Sequence, residues 1–156
     1  MKRRIVILTT ALILFSARTI HAETIRVPKE VVKNSVELGE KYYICPELIQ
    51  AMCFKESSFN ENAKNNDCIG IMQIDPKWHA DRIEYLGVQD LNDIKQNMSV
   101  GVDYLAEILK NTGDISEALM IYNGDSDADK ANNGYISSYA SDILSISENL
   151  ERENGK

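Results

Sequence analysis

The chain has 156 residues, of which 24 are Asp or Glu and 17 are Lys or Arg, for a formal charge of −7. That balance leaves no electrostatic footprint for nucleic acid or for an anionic membrane surface, and it points to neutral or cationic partners. The length allows one domain with a real core and is short for two.

At the N-terminus, Lys2, Arg3 and Arg4 precede an apolar run from Ile5 to Phe15, and Ile-His-Ala stands before Glu23. Residues 1–22 therefore read as a secretory signal peptide. The run is shorter than the about 20 residues a spanning helix takes, and no cysteine follows the cut to carry a lipid. An uncleaved anchor is the alternative. Cleavage would remove four basic side chains and no acidic ones, leaving 134 residues with a formal charge of −11. The expected product is one domain, residues 23–150, with a polar tail, 151–156. Its expected place is the periplasm or the cell exterior, with no stable membrane anchor.

Pro28 suits a helix's first turn, and Val32, Val36 and Tyr43 recur near whole turns up to Cys45-Pro46. Pro46 starts a second helix. Taking Leu48 as 0° and about 100° per residue, Met52 falls near 40°, Ile49 near 100° and Cys53 near 140°. Glu47 and Gln50 fall on the opposite, polar side. Glu56 lands at about 80°, in the middle of the apolar arc. A carboxyl aimed at a core is unusual, and burial would raise its pKa toward what a general acid needs.

Further on, Ile69 to Ile74, interrupted by Gly70, suits a small strand or hairpin. Asn92 to Ile108 carries a helical stripe of Val100, Tyr104, Leu105 and Ile108, extended by Leu109, before Thr112-Gly113. Asp114 with Glu117 resembles a capping box for a short helix through Tyr122, stopped at Gly124. Ile136, Tyr139, Ile143, Ile146 and Leu150 imply a last helix. The fold class is mainly α, of α+β type, with a β-hairpin or irregular element near residues 68–76.

Cys45 and Cys53 lie about 12 Å apart along a helix, beyond bridging distance, so they compete for Cys68. Cys53 with Cys68 is the favoured disulfide and Cys45 with Cys68 the alternative. A zinc site from the three cysteines and His79 lacks the closely spaced cysteine pair such sites use, and no metal is expected. Asp125, Asp127 and Asp129 suggest a calcium loop, but Lys130 and Ile136 stand where glycine and a bidentate glutamate belong, so a solvated rim loop is expected. Trp78 suits either a core position or a stacking role at the surface.

"ELIQAMCFKESSFN", "GIMQI", "NMSVGVDYLAEIL" and "ALMIYNG" occur in that order, with Tyr139 beyond them. Together they resemble the lytic transglycosylases of the SLT type, in the lysozyme-like superfamily that includes goose-type lysozyme. The resemblance covers about residues 36 to 146. It departs from the family where Ile121-Tyr122-Asn123-Gly124-Asp125 replaces the common Ala-Tyr-Asn-Ala-Gly run.

The resemblance implies a lysozyme-like fold and cleavage of peptidoglycan between N-acetylmuramic acid and N-acetylglucosamine, without a cofactor. It makes Glu56 the acid that protonates the glycosidic oxygen and then the base for attack by the muramic C6 hydroxyl, closing a 1,6-anhydro ring. By the same resemblance Ser57, Gln73, Tyr122 and Asn123 are substrate-binding candidates, with Tyr122 orienting Glu56. Gly70, Met72 and Tyr139 are structural. Glu61, Asp67 and Asp75 match no second catalytic acid. If one of them faced Glu56 across a water, an inverting hydrolase would result. A muramidase and a non-catalytic glycan-binding assembly component remain the alternatives. The short form also suits a local wall-opening accessory of a secretion or conjugation machine.

Overall fold

Pro28 and Pro46 each open a helix, and residues in left-handed backbone conformation close several of them. The computed structural model describes residues 24–156; the expected signal peptide, residues 1–22, lies outside them. Among the described residues the order is α1 (Lys29–Tyr42), α2 (Pro46–Ser57), β1 (Lys64–Asn65), β2 (Cys68–Ile69), α3 (Ala80–Leu86), α4 (Ile94–Thr112), α5 (Ile115–Tyr122), a 3-10 helix (Ala128–Asn133) and α6 (Ser138–Glu153). This is the mainly helical, lysozyme-like arrangement expected, with one small antiparallel hairpin.

α1 presents a different face from the one its valines suggest. Val31 and Leu38 are buried together with Asn34, Ser35 and Gly39, whereas Val32, Val36 and Tyr43 are 40%, 41% and 97% exposed. Small residues decide this face. A Cβ on Gly39 would lie 2.6 Å from the Ile44 carbonyl oxygen, and Ser35 accepts a 2.8 Å hydrogen bond from Gln50 Nε2. Both features let α2 approach closely.

α2 is covered on nearly all sides, with α6 and α1 as its main packing partners. Glu47 and Gln50, expected on an exposed polar face, are therefore 2% and 3% exposed. Glu47 is compensated by Asn154 Nδ2 at 2.9 Å, Lys156 Nζ at 2.8 Å and the Cys45 thiol at 3.1 Å. Burial opposes its ionisation, but these donors outweigh it and hold the carboxyl at about 2. The segment expected to be a polar tail from Glu151 thus continues α6 to Glu153 and then docks on α2.

The hairpin pairs Lys64 with Ile69 and Asn65 with Cys68, ahead of the segment expected to hold it. Ile69 then bridges Ile74, folding the intervening "GIMQ" into a tight loop. α4 starts at Ile94, capped by Asp93. The Asp114 carboxylate caps α5 as expected, accepting from the Glu117 N–H at 2.8 Å. Met52, Met72, Met98, Leu105, Leu119 and Ile143 form one shared core.

The expected Cys53–Cys68 bridge is absent, as is its Cys45 alternative: all three cysteines are free thiols. α2 turns Cys53 into the core, while Cys68 sits half-buried on the hairpin and Cys45 is exposed before α2. The expected rim loop contains the 3-10 helix, with Ala128 buried against the core.

Candidate active site

Glu56 occupies the last turn of α2, and the chain leaves the helix there through two consecutive left-handed residues, Ser58 and Phe59. The Ser58 N–H donates to Phe54 O at 2.8 Å and the Phe59 N–H to Cys53 O at 3.4 Å, closing the helix end. Glu56 is half-buried, and desolvation raises its pKa above the usual carboxylate range. A hydrogen bond from Tyr139 and the charge of Lys55 oppose that rise without cancelling it. The negative end of the α2 dipole also favours the protonated form. Lys55 is turned to Asp142, at 2.7 Å, and among the described residues no ammonium is bonded to Glu56.

Among the described residues Tyr139 bonds Glu56, its hydroxyl donating to Oε1 from the first turn of α6. Sequence reasoning gave Tyr139 a structural part and the orienting part to Tyr122. The geometry reverses this. The Tyr122 hydroxyl donates to Met72 O at 3.1 Å, supporting the loop beneath the acid. Burial first, and the nearby Glu56 charge second, push both tyrosine pKa values upward, so both stay donors.

Ser57 is also engaged away from any ligand. Its hydroxyl lies 2.8 Å from Ile71 O and 3.1 Å from Cys53 O, clipping the Gly70–Gln73 loop to the end of α2. Gln73, at a positive φ of 51°, donates its amide to Gly70 O at 2.8 Å and Ala63 O at 3.3 Å. Those donors fix the carboxamide plane. Met72 is fully buried, as expected of packing. Asn123, exposed at the end of α5, donates to Asp125 Oδ1 at 3.0 Å.

Two supporting residues were missed from the sequence. Asn97, fully buried on α4, donates to Ile69 O at 2.9 Å and Leu91 O at 2.8 Å, and its Oδ1 accepts the Met72 N–H at 2.9 Å. An amide inside an apolar helical stripe was the available signal. A Cβ on Gly70, at φ 80°, would lie 2.2 Å from Asn97 Nδ2, so glycine is needed for the staple to close. Gly101 is the second: a Cβ there would meet Met72 Sδ at 2.7 Å and the Tyr122 hydroxyl at 2.8 Å. A glycine within a helical pattern marks such close approach.

The neighbouring carboxylates have other work. Asp67 pairs with Lys77 at 2.8 Å. Asp75 Oδ1 accepts the N–H groups of Lys77 at 2.8 Å and Trp78 at 3.3 Å, which makes it a turn residue.

The model of the transglycosylase SLT domain family matches residues 33–143. The chain belongs to this family. That membership places it among the lytic transglycosylases. It is similar to the X polypeptide of Escherichia coli strain K12, 29% identical over 125 residues that cover 75% of this chain and 73% of that one. A second Escherichia coli X polypeptide is 28% identical over the same proportions. In fold it is similar to an inactive mutant of lytic transglycosylase Slt from Pseudomonas aeruginosa, with a TM-score of 0.70 and 17% identity, across 83% of this chain. The SLT-family chain spans only 25% of that Slt chain.

Proposed function

We propose that the protein cleaves the β-1,4 bond between N-acetylmuramic acid and N-acetylglucosamine of peptidoglycan by intramolecular transglycosylation. The observation that carries this reading is the half-buried Glu56, held toward its protonated form by desolvation and oriented by the Tyr139 hydroxyl.

Protonated Glu56 gives its proton to the glycosidic oxygen as the C1–O bond breaks. The resulting carboxylate takes the proton of the muramic C6 hydroxyl, whose oxygen bonds to C1 and closes the 1,6-anhydro ring. No water is consumed, and Glu56 ends protonated. Tyr139 serves both states, since a hydroxyl can donate to either form of the carboxyl. The positive charge at C1 is relieved by the substrate's own acetamido group, which dispenses with a second carboxylate. Gln73, its amide fixed by the loop, and Asn123, its amide fixed by Asp125, offer carboxamide oxygens to acetamido N–H groups.

Export through the signal peptide and a local role in opening the wall for an envelope-spanning secretion or conjugation machine complete the proposal. The test is digestion of isolated sacculi followed by mass analysis. 1,6-Anhydro ends support the reading, while reducing ends in their place would make the protein a hydrolase. Release of nothing by folded protein would favour a glycan-binding component.

A further inference from the structure

Trp78 and Tyr85 are 79% and 83% exposed, yet both line one recess of about 370 Å³ between α3 and α4. Two large exposed rings gathered on one recess mark a candidate ligand surface, as singly scattered ones would not. Neither position is loose. The turn at Asp75 fixes the Trp78 backbone, and Tyr85 rides on α3.

The rest of the recess is lined by polar side chains. The Arg82 side chain is 15% exposed, donates to Asp103 Oδ2 at 2.8 Å, and pairs with Glu107. Its guanidinium lies over the Tyr104 ring, 5.0 Å from the centroid. Asp103 Oδ1 also accepts from the Tyr42 hydroxyl at 2.7 Å. With Asp81, Asp103 and Glu107 against the one guanidinium of Arg82, the lining repels anions and is rich in acceptors for hydroxyl and amide N–H donors. It suits a neutral ligand with apolar faces for the rings and hydroxyl or amide groups for the fork and carboxylates. A pyranose with an acetamido group has that chemistry, and the volume fits a small ligand site.

Trp78 follows Gln73 by five residues, so the two Cα atoms are at most about 18 Å apart. Ring contacts run from Tyr122 to Tyr104 at 5.4 Å and on to His79 at 4.8 Å, tying the recess to the residue that supports the catalytic loop.

We infer that the recess between Trp78 and Tyr85 is an accessory glycan site that holds an N-acetylhexosamine unit away from the bond being cut. The inference rests on the proposed peptidoglycan reading. The site grips long strands, raising affinity for polymer over fragments while leaving the chemistry at Glu56 unchanged.

Trp78 is the only tryptophan, so its fluorescence reports the recess directly. The full-length Glu56→Gln protein, which blocks turnover, is titrated with N,N′,N″,N‴-tetraacetylchitotetraose. A saturable change in emission is expected, with Tyr85→Ala weakening it about threefold to tenfold. In protein retaining Glu56, Trp78→Ala and Tyr85→Ala should raise KM on long glycan strands by a similar factor and leave kcat on short soluble fragments unchanged. Melting curves establish that both variants fold. Emission that ignores the sugar while calorimetry shows it bound would overturn the inference, and would leave the recess to a protein partner. Equal losses on short and long substrates would overturn it too. Failure of the catalytic reading would look different: a responding Trp78 in a wild-type protein that releases no anhydro ends.

Discussion

Gly101→Ala is a demanding test of how the site is built. In an open helix this change stabilises by about 1 kcal/mol, because alanine is the better helix former. Here the new methyl would lie 2.7 Å from Met72 Sδ, 2.9 Å from Met72 Cε and 2.8 Å from the Tyr122 hydroxyl. Ordinary carbon contacts are about 3.5–4.0 Å, so neighbours must retreat by roughly 1 Å. Overpacking of this kind costs about 1–3 kcal/mol. Weakening the 3.1 Å bond from Tyr122 to Met72 O adds about 0.5–1.5 kcal/mol. Offset by the helix gain, the net loss is about 0.5–3.5 kcal/mol, readable as a lower urea midpoint at unchanged slope. Because Met72 precedes Gln73, kcat/KM on glycan should fall more than the folded fraction does. A variant about 1 kcal/mol more stable than wild type and fully active would refute the reasoning.

Glu56→Gln should lower turnover by about 10²–10⁴-fold with the fold intact, measured as anhydro-end release. Its stability should move with a definite sign. A carboxyl whose folded pKa is raised supports the fold below its unfolded value and loses that support as pH rises through the folded value, so the amide variant should outlast wild type at neutral pH and lose the advantage in acid. Tyr139→Phe removes a bond that lowers the Glu56 pKa, so the alkaline limb of the pH profile of kcat/KM should shift further alkaline. Glu47, depressed to about 2, stabilises above its unfolded value near 4.5 and loses this as pH falls through 2. Deleting Lys156, 54% exposed and therefore screened, should lower the melting temperature slightly at neutral pH and leave it unchanged below the folded pKa of Glu47, by acid melting curves. Asn97→Ala strands the buried Met72 N–H and two part-buried carbonyls, so a loss of about 2–4 kcal/mol in urea melts should accompany lost activity.

Local chemistry, read along the chain, marked several features before any packing was known. Asp114 three residues ahead of Glu117 marked the start of α5, because a cap involves only neighbours. The angle of Glu56 relative to Leu48 and Met52 marked it as an acid on a core-facing arc, since helical periodicity is also local. The four ordered motifs marked the family, which the match over residues 33–143 shows. Tertiary structure decided what depends on a partner from elsewhere. α1 turned toward Ser35 and Gly39 because α2 had to come close, and no valine spacing contains that information. α2 buried Glu47 because residues 154 and 156 returned to pair with it across the length of the domain. Tyr139 reached Glu56 from 83 residues away, while Tyr122 was drawn to Met72. Residue type alone could not choose between the two hydroxyls, because periodicity fixes the side of a helix and only packing fixes which acceptor waits there.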